Sequence, residues 1–189
     1  MSGAPGEVPL SIALREELGD AIETARTVRG ELTLRVRREA VARVCAALRE
    51  RHGFTRLVDL CGVDFPGRNP RFEIVYHLCD PAAGRRVRVK IAAGEETPVP
   101  SVTGIWRAAD WPEREVWDLF GVRFEGHPDL SRLLLWDDFE GHPLRKDFPV
   151  EGTSSLSPSP GEGGGRGRER GPGGEGLSAG EGTGEGAGG

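Results

Sequence analysis

Several things are scarce in this 189-residue chain, and each scarcity removes a class of function. It has two lysines against 23 arginines, and its basic residues are outnumbered 25 to 30, for a net charge of -5. The charge divides as +3 over residues 1–109, -6 over 110–151 and -2 over 152–189, so no strongly basic domain offers itself to nucleic acid. No apolar run approaches the roughly 20 residues a membrane-spanning helix needs, and the start MSGAPGEVPL lacks the basic and apolar regions of a signal peptide. The expectation is a cytoplasmic, soluble chain. Its three cysteines, Cys45, Cys61 and Cys79, are widely spaced with no C-x-x-C, which fits reduced thiols packed as small hydrophobes rather than a cluster site.

Residues 152–189 hold 16 of the 29 glycines and, as apolar residues, only Leu156, Leu177, Ala179 and Ala187. Such a stretch cannot recover its ordering entropy by burial and is expected to be a disordered Gly/Glu-rich tail. What remains suits one ordinary domain of about 100 to 200 residues.

Along that body, Ser11 can cap a short helix ending at Leu18-Gly19. Apolar alternation either side of Arg29-Gly30 predicts a hairpin over Ala21 to Val36. Val41, Val44, Cys45 and Leu48 fall at helical spacing and predict an amphipathic helix from Glu39 to Arg51, stopped by Gly53. Strands are expected at Phe54–Cys61, Phe72–Cys79 and Arg86–Ile91, separated by Pro/Gly/Asn/Asp turns. Such short connections favour antiparallel pairing, so the fold class is α+β, a mostly antiparallel sheet with flanking helices. Arg86, Arg88 and Lys90 share one face of the last strand, read as a solvated sheet face.

Beyond Pro100 lie all four tryptophans, in an acidic, proline-punctuated segment that suggests docking surface as well as core. A helix is expected from Pro112 to Phe120, ended by Gly121, with Val116, Leu119 and Phe120 on its apolar face and Glu113, Arg114, Glu115 and Asp118 supplying charge. Residues 122–151 then read as an extended arm following an α+β domain at 1–121. Long segments of that kind are functional or held by a partner.

Three chemistries compete for this region. A metal site could draw on His127, Asp129, Asp137, Asp138, Glu140 and His142, but no pair has H-x-x-x-H spacing and both histidines precede proline. A hydrolase could use Glu113, Glu115 or Asp118 with a histidine, yet no nucleophile elbow, phosphate loop or thiol–base pair accompanies them. An interaction arm makes better sense of the alternating Arg, carboxylate and His-Pro elements. Prolines fix an extended path at low entropic cost, and Arg114, Arg132 and Arg145 can bond carboxylates or carbonyls bidentately.

The run EREVWDLFGVRFEGHPDLSRLL followed by GHPLRKDFP resembles the C subunit of the proton-pumping NADH:quinone oxidoreductase, respiratory complex I. GELTLRV, LVDLCGVDFPGRNPRFEIVYHL and VPSVTGIWRAADWPEREVWDLFG resemble the same family, and the likeness covers about residues 10–151. Trp117 stands where that family commonly has tyrosine, and Leu135-Trp136 where it commonly has Met-Pro. The resemblance implies a non-catalytic peripheral-arm subunit on the cytoplasmic side of the cell membrane, membrane-associated only through its complex. It would bind no cofactor itself, flavin mononucleotide (FMN) and iron–sulfur clusters lying in partner subunits. It would pack against the D-subunit homologue that forms much of the quinone pocket and near the iron–sulfur subunits. Its interface residues would be Glu113, Arg114, Glu115, Asp118, Gly121, His127, Pro128, Arg132, His142, Pro143, Arg145, Lys146 and Asp147. The equivalent component of a membrane-bound hydrogenase or other-donor dehydrogenase is the alternative reading. On this picture the arm's charges find their partners largely on other subunits, and Arg145→Ala would leave the isolated chain within roughly 0.5 kcal/mol of the parent.

Overall fold

The computed structural model describes residues 9–150; the expectation of a disordered tail lies outside the described residues. Helix α1 (Leu10–Leu18) leads into strands β1 (Ile22–Val28) and β2 (Glu31–Val36), then α2 (Val41–His52). Three strands follow, β3 (Arg56–Asp64), β4 (Phe72–Asp80) and β5 (Arg85–Ala93), then the short β6 (Val99–Pro100), α3 (Asp110–Phe120) and the short β7 (Phe124–Glu125). Ser11 does not cap α1: the cap position is Pro9, and Ser11 lies one residue inside the helix. Pro9 fits because its missing N–H would be unpaired at a helix start in any case.

The five long strands form one sheet in the order β1-β2-β5-β4-β3. Arg29 and Gly30, with φ of 52° and 82°, make the β1–β2 turn of the kind that matches the twist of a two-residue hairpin. The β3–β4 and β4–β5 pairs are antiparallel, but β2 and β5 run parallel. Connection length predicts only sequential pairs, whereas α2, β3 and β4 together supply the crossover that a parallel pair requires.

Register explains the core. Leu34, Val89, Tyr76 and Leu60 form one row across four strands, and Leu32, Val87, Leu78 and Leu57 the next. All are buried in one cluster with Val41, Val44, Cys45 and Leu48 of α2. In the neighbouring row Ile91 and Ile74 stand beside Gly62. The missing side chain there is what lets α3 approach, since a Cβ on Gly62 would sit 3.0 Å from the Phe120 ring. The opposite face carries cross-strand ion pairs, Arg88 with Glu31 at 2.9 Å and Lys90 with Glu73 at 2.6 Å. Among the described residues no helix is long and apolar enough to cross a membrane. Cys45 is buried and Cys61 and Cys79 are half-buried, all three as free thiols.

Candidate functional site: helix α3 and the segment wrapped around it

Helix α3 carries its charge differently from the sequence expectation. Glu113 and Asp118 are both fully buried, and only Glu115 of its acidic trio faces solvent. Glu113 precedes Val116 and Phe120 by three and seven residues, so it shares their core-facing stripe. There its carboxylate accepts from the Ser101 hydroxyl at 2.7 Å and the Val102 N–H at 2.7 Å. Burial pushes the Glu113 carboxyl above its ordinary value, and these two donors only partly offset it. Burial likewise raises Tyr76, whose hydroxyl has no hydrogen-bond partner, and the Cys45 thiol, with the Glu113 charge adding to both.

A raised folded-state pKa favours the protonated form in the native chain, so its stability contribution is present at low pH and lost as pH rises through that value. Unfolding of Glu113→Gln beside the parent between about pH 5 and about pH 8 should show the parent losing ground as pH rises. A constant difference across that range would contradict the assignment.

Asp118 points the other way, under residues 131–142. Its carboxylate accepts from Arg132 Nη1 at 2.7 Å and from the backbone N–H groups of Leu133, Leu134 and Leu135 at 3.1, 2.9 and 3.0 Å. Burial is the largest single influence and would raise it, yet these donors together outweigh burial and hold Asp118 below the ordinary carboxylate value. Arg132 also donates to the Phe139 carbonyl at 2.7 Å and stands 5.9 Å from the Trp117 ring centre. From the preceding turn, Arg114 grips the Ser131 and Arg132 carbonyls at 3.1 and 2.9 Å.

The histidines serve the backbone. His127 Nε2–H donates to the Asp110 carbonyl at 3.1 Å while Nδ1 accepts from the Asp129 N–H at 3.1 Å, which fixes the tautomer. His142 Nδ1–H donates to the Asp118 carbonyl at 2.9 Å. Burial and, less strongly, the nearby Arg145 and Arg132 lower the His142 pKa, which favours the neutral ring over the charged one. Arg145 donates to the Phe120 carbonyl at the end of α3 at 2.8 Å and to Glu95 at 3.1 Å. The Lys146 N–H bonds Asp64 at 2.7 Å, while Asp147 joins Arg71 at 2.6 Å. Arg71 in turn holds Asp64 through two bonds of 2.7 and 2.8 Å. Asp64, at the end of β3, Arg71, just before β4, and Glu95 are therefore part of the site, although the Asp64–Pro70 stretch reads in sequence only as turn chemistry.

These bonds overturn the expectation that the segment's charges pair mainly on other subunits. Arg132, Arg145 and Asp147 are each engaged within the chain, and Val122, Phe124 and Phe139 are buried. The segment also contributes β7, paired parallel with β6. Arg145 is no neutral surface residue, for its loss leaves the Phe120 carbonyl at the helix end without this donor and Glu95 with only the longer 3.3 Å bond from Arg71. Arg145→Ala should cost about 1.5 to 3 kcal/mol in thermal unfolding, the range for hydrogen bonds to charged groups. A change below roughly 0.5 kcal/mol would restore the surface reading.

Pro128 and the Lys146 side chain are exposed, and Pro143 lines an open apolar cleft of about 700 Å³. The site residues chosen from sequence thus gather around α3, but most act by holding residues 127–148 onto it. Chemically the arrangement is a clasp of charge-assisted bonds directed at backbone and side chains of the same chain. Among the described residues no three His, Cys, Asp or Glu side chains group as metal ligands.

The family model of the 30 kDa subunit of respiratory-chain NADH dehydrogenase matches residues 34–154, from β2 through the clasped segment. The chain belongs to that family. A C subunit of the NADH-quinone oxidoreductase of Rhizobium etli is 50% identical over 145 residues, covering 76% of this chain and 72% of that protein. The C subunit from Paramagnetospirillum magneticum is 55% identical over 125 residues, covering 65% and 63%. Among solved structures, a chain of the membrane-bound sulfane sulfur reductase, an archaeal respiratory membrane complex, superposes with a TM-score of 0.65. That chain is 29% identical, with coverage of 74% of this chain and 83% of its own length. The 30 kDa family match takes in Glu113, Asp118, Gly121, Arg132 and Arg145, so the clasp is built from residues inside the family region.

Proposed function

We propose that this chain is a peripheral-arm subunit of a proton-translocating NADH:quinone oxidoreductase, supporting electron transfer from NADH to quinone without catalytic residues of its own. The observation that carries the reading is the identity to proteins named as the C subunit of that enzyme, 50% over 145 residues, beside a family match over residues 34–154 that includes the clasped segment. The chain sits on the cytoplasmic side, attached to the membrane through its complex. Its neighbours are the quinone-site D-subunit homologue and the iron–sulfur subunits, with residues 122–151 as the partner-facing arm. Flavin and clusters belong to those neighbours, and this chain holds no metal.

The chemistry of the clasp supports a scaffold: Asp118, Arg132, Arg145 and Asp147 are engaged by bonds within the chain, and these bonds pair none of them as nucleophile and base. The likeness to a sulfane sulfur reductase chain favours the second reading, in which the same scaffold serves a complex with another electron donor. Purifying the native assembly through a tag on this chain decides between them. Co-purifying NADH-oxidising, flavin-bearing subunits with NADH:quinone activity is the expected result. The same tagged chain expressed alone should show no visible chromophore and less than one equivalent of metal. An assembly without NADH oxidation would move the chain to the second reading, and no assembly at all would sink both.

A further inference from the structure

The clasped segment ends in a feature its internal bonds do not use. Trp136 meets Phe139 edge-on with ring centres 5.0 Å apart, and Phe139 stacks on Phe148 at 6.1 Å. This aromatic ladder floors the cleft, whose walls include Leu135, Pro143, Leu144, Pro149 and Val150. Of the residues lining it, Trp136, Leu144 and Val150 are 47%, 48% and 105% exposed. Bulky apolar side chains gathered this way on a monomer's surface mark an interaction site.

Charge says what fills it. Three of the segment's charges are engaged internally, Arg132 with Asp118, Arg145 with Glu95 and Asp147 with Arg71. Asp137 and Asp138, following Trp136, are exposed, as is the Lys146 ammonium beside Arg145. Among the described residues these three side chains have no hydrogen-bond or ion-pair partner; Lys146 belongs to the cleft's lining, and the two free carboxylates follow its lining residue Trp136 directly in the chain, which puts acid next to the Trp136 side. An occupant therefore needs apolar side chains for the ladder and cationic ones for the acidic edge.

We propose that this cleft, not the charged residues of the clasp, docks an amphipathic segment of another subunit, with apolar residues on the Trp136–Phe139–Phe148 ladder and Arg or Lys opposite Asp137 and Asp138. This rests on the reading of the chain as part of a larger assembly. Its own residues 151–189 fit poorly, carrying six carboxylates against three arginines and few apolar side chains. A second copy of the cleft would present the same two aspartates and a single lysine.

The test uses the full-length chain in its native assembly. A photo-crosslinking p-benzoylphenylalanine in place of Trp136 should attach to a segment of another subunit whose sequence alternates apolar residues with Arg or Lys. The exposed pair Asp137→Lys with Asp138→Lys should lower the yield of intact assembly about tenfold, equivalent to 1.4 kcal/mol. Leu144→Ser with Val150→Ser should do the same, and the free chain should keep its melting temperature in each case. Attachment to residues 151–189, to a second copy, or to a segment without basic residues overturns the proposal. So does unchanged yield in both double variants. Loss of the cleft's role with the parent chain still assembling leaves the proposed function standing, whereas a parent chain found in no assembly removes both.

Discussion

Replacing Asp118 with alanine should destabilise the isolated chain by about 3 to 5 kcal/mol, the range for removing one partner of a buried charge pair. The carboxylate is fully buried and is the common acceptor for Arg132 and for three successive backbone N–H groups. Alanine leaves all four donors without a partner beneath the clasped segment, and unsatisfied buried donors are costlier than a lost contact. Asp118→Asn keeps one acceptor oxygen in place and should cost less, while Glu115→Ala, on the exposed side of α3, should stay within roughly 0.5 kcal/mol. Because Asp118 is held below its ordinary value, its contribution is present above the unfolded-state pKa and lost as pH falls through the folded one. Asp64, lowered chiefly by Arg71, behaves alike, so the clasp should open in acid before the core melts. The measurement is denaturant unfolding of the three variants with amide exchange on residues 131–148. Equal stability of parent and Asp118→Ala would refute the clasp.

The lowered carboxylates of the clasp and the raised Glu113 give opposite pH slopes in one small region. Glu113 faces the sheet, where its donors are a hydroxyl and one N–H. Asp118 faces the overlying segment, where its donors include a guanidinium. A five-residue separation along a helix turns two chemically similar side chains toward different surroundings, and the surroundings set the sign.

That contrast also shows how far the residues alone could be read. The helix over 41–52, the Arg29-Gly30 hairpin and the three long strands follow from periodicity and turn chemistry, which act locally. The parallel β2–β5 pairing does not, because it depends on which strand edge the β4–β5 hairpin meets after an intervening helix and strand. Glu113 was legible in principle, since its spacing to Val116 and Phe120 marks the core stripe. Asp118 was not, because its burial comes from residues 131–142 folding over it. The bond between Asp147 and Arg71 spans 76 positions, a distance at which no local pattern carries information. The family resemblance supplied the identity of the region, but the inward use of its arginines is visible only in three dimensions.

Gly121→Ala should have an effect as large as any single substitution in the clasp. The residue ends α3 with φ of 80°, where its N–H bonds the Trp117 carbonyl at 2.8 Å. Any other L-residue in the left-handed region costs roughly 1 to 2 kcal/mol. A second penalty is steric and specific to this fold: a Cβ would lie 2.5 Å from His142 Nε2 and 2.6 Å from Arg145 Nη2. Neither side chain can retreat cheaply, as His142 is tied to the Asp118 carbonyl and Arg145 to the Phe120 carbonyl. Relief therefore means lifting residues 142–148 away from α3, which also breaks the Leu144 to Leu119 backbone bond of 3.1 Å. The expected result is a chain whose α2 and central strands keep their amide protection while residues 142–148 exchange freely and become open to proteases. Gly121→Asn, which tolerates positive φ better, should separate the two penalties by keeping the steric one. If Gly121→Ala retained full protection over residues 142–148, those side chains would have to be looser than their bonds indicate, and the clasp would not be what fixes the segment.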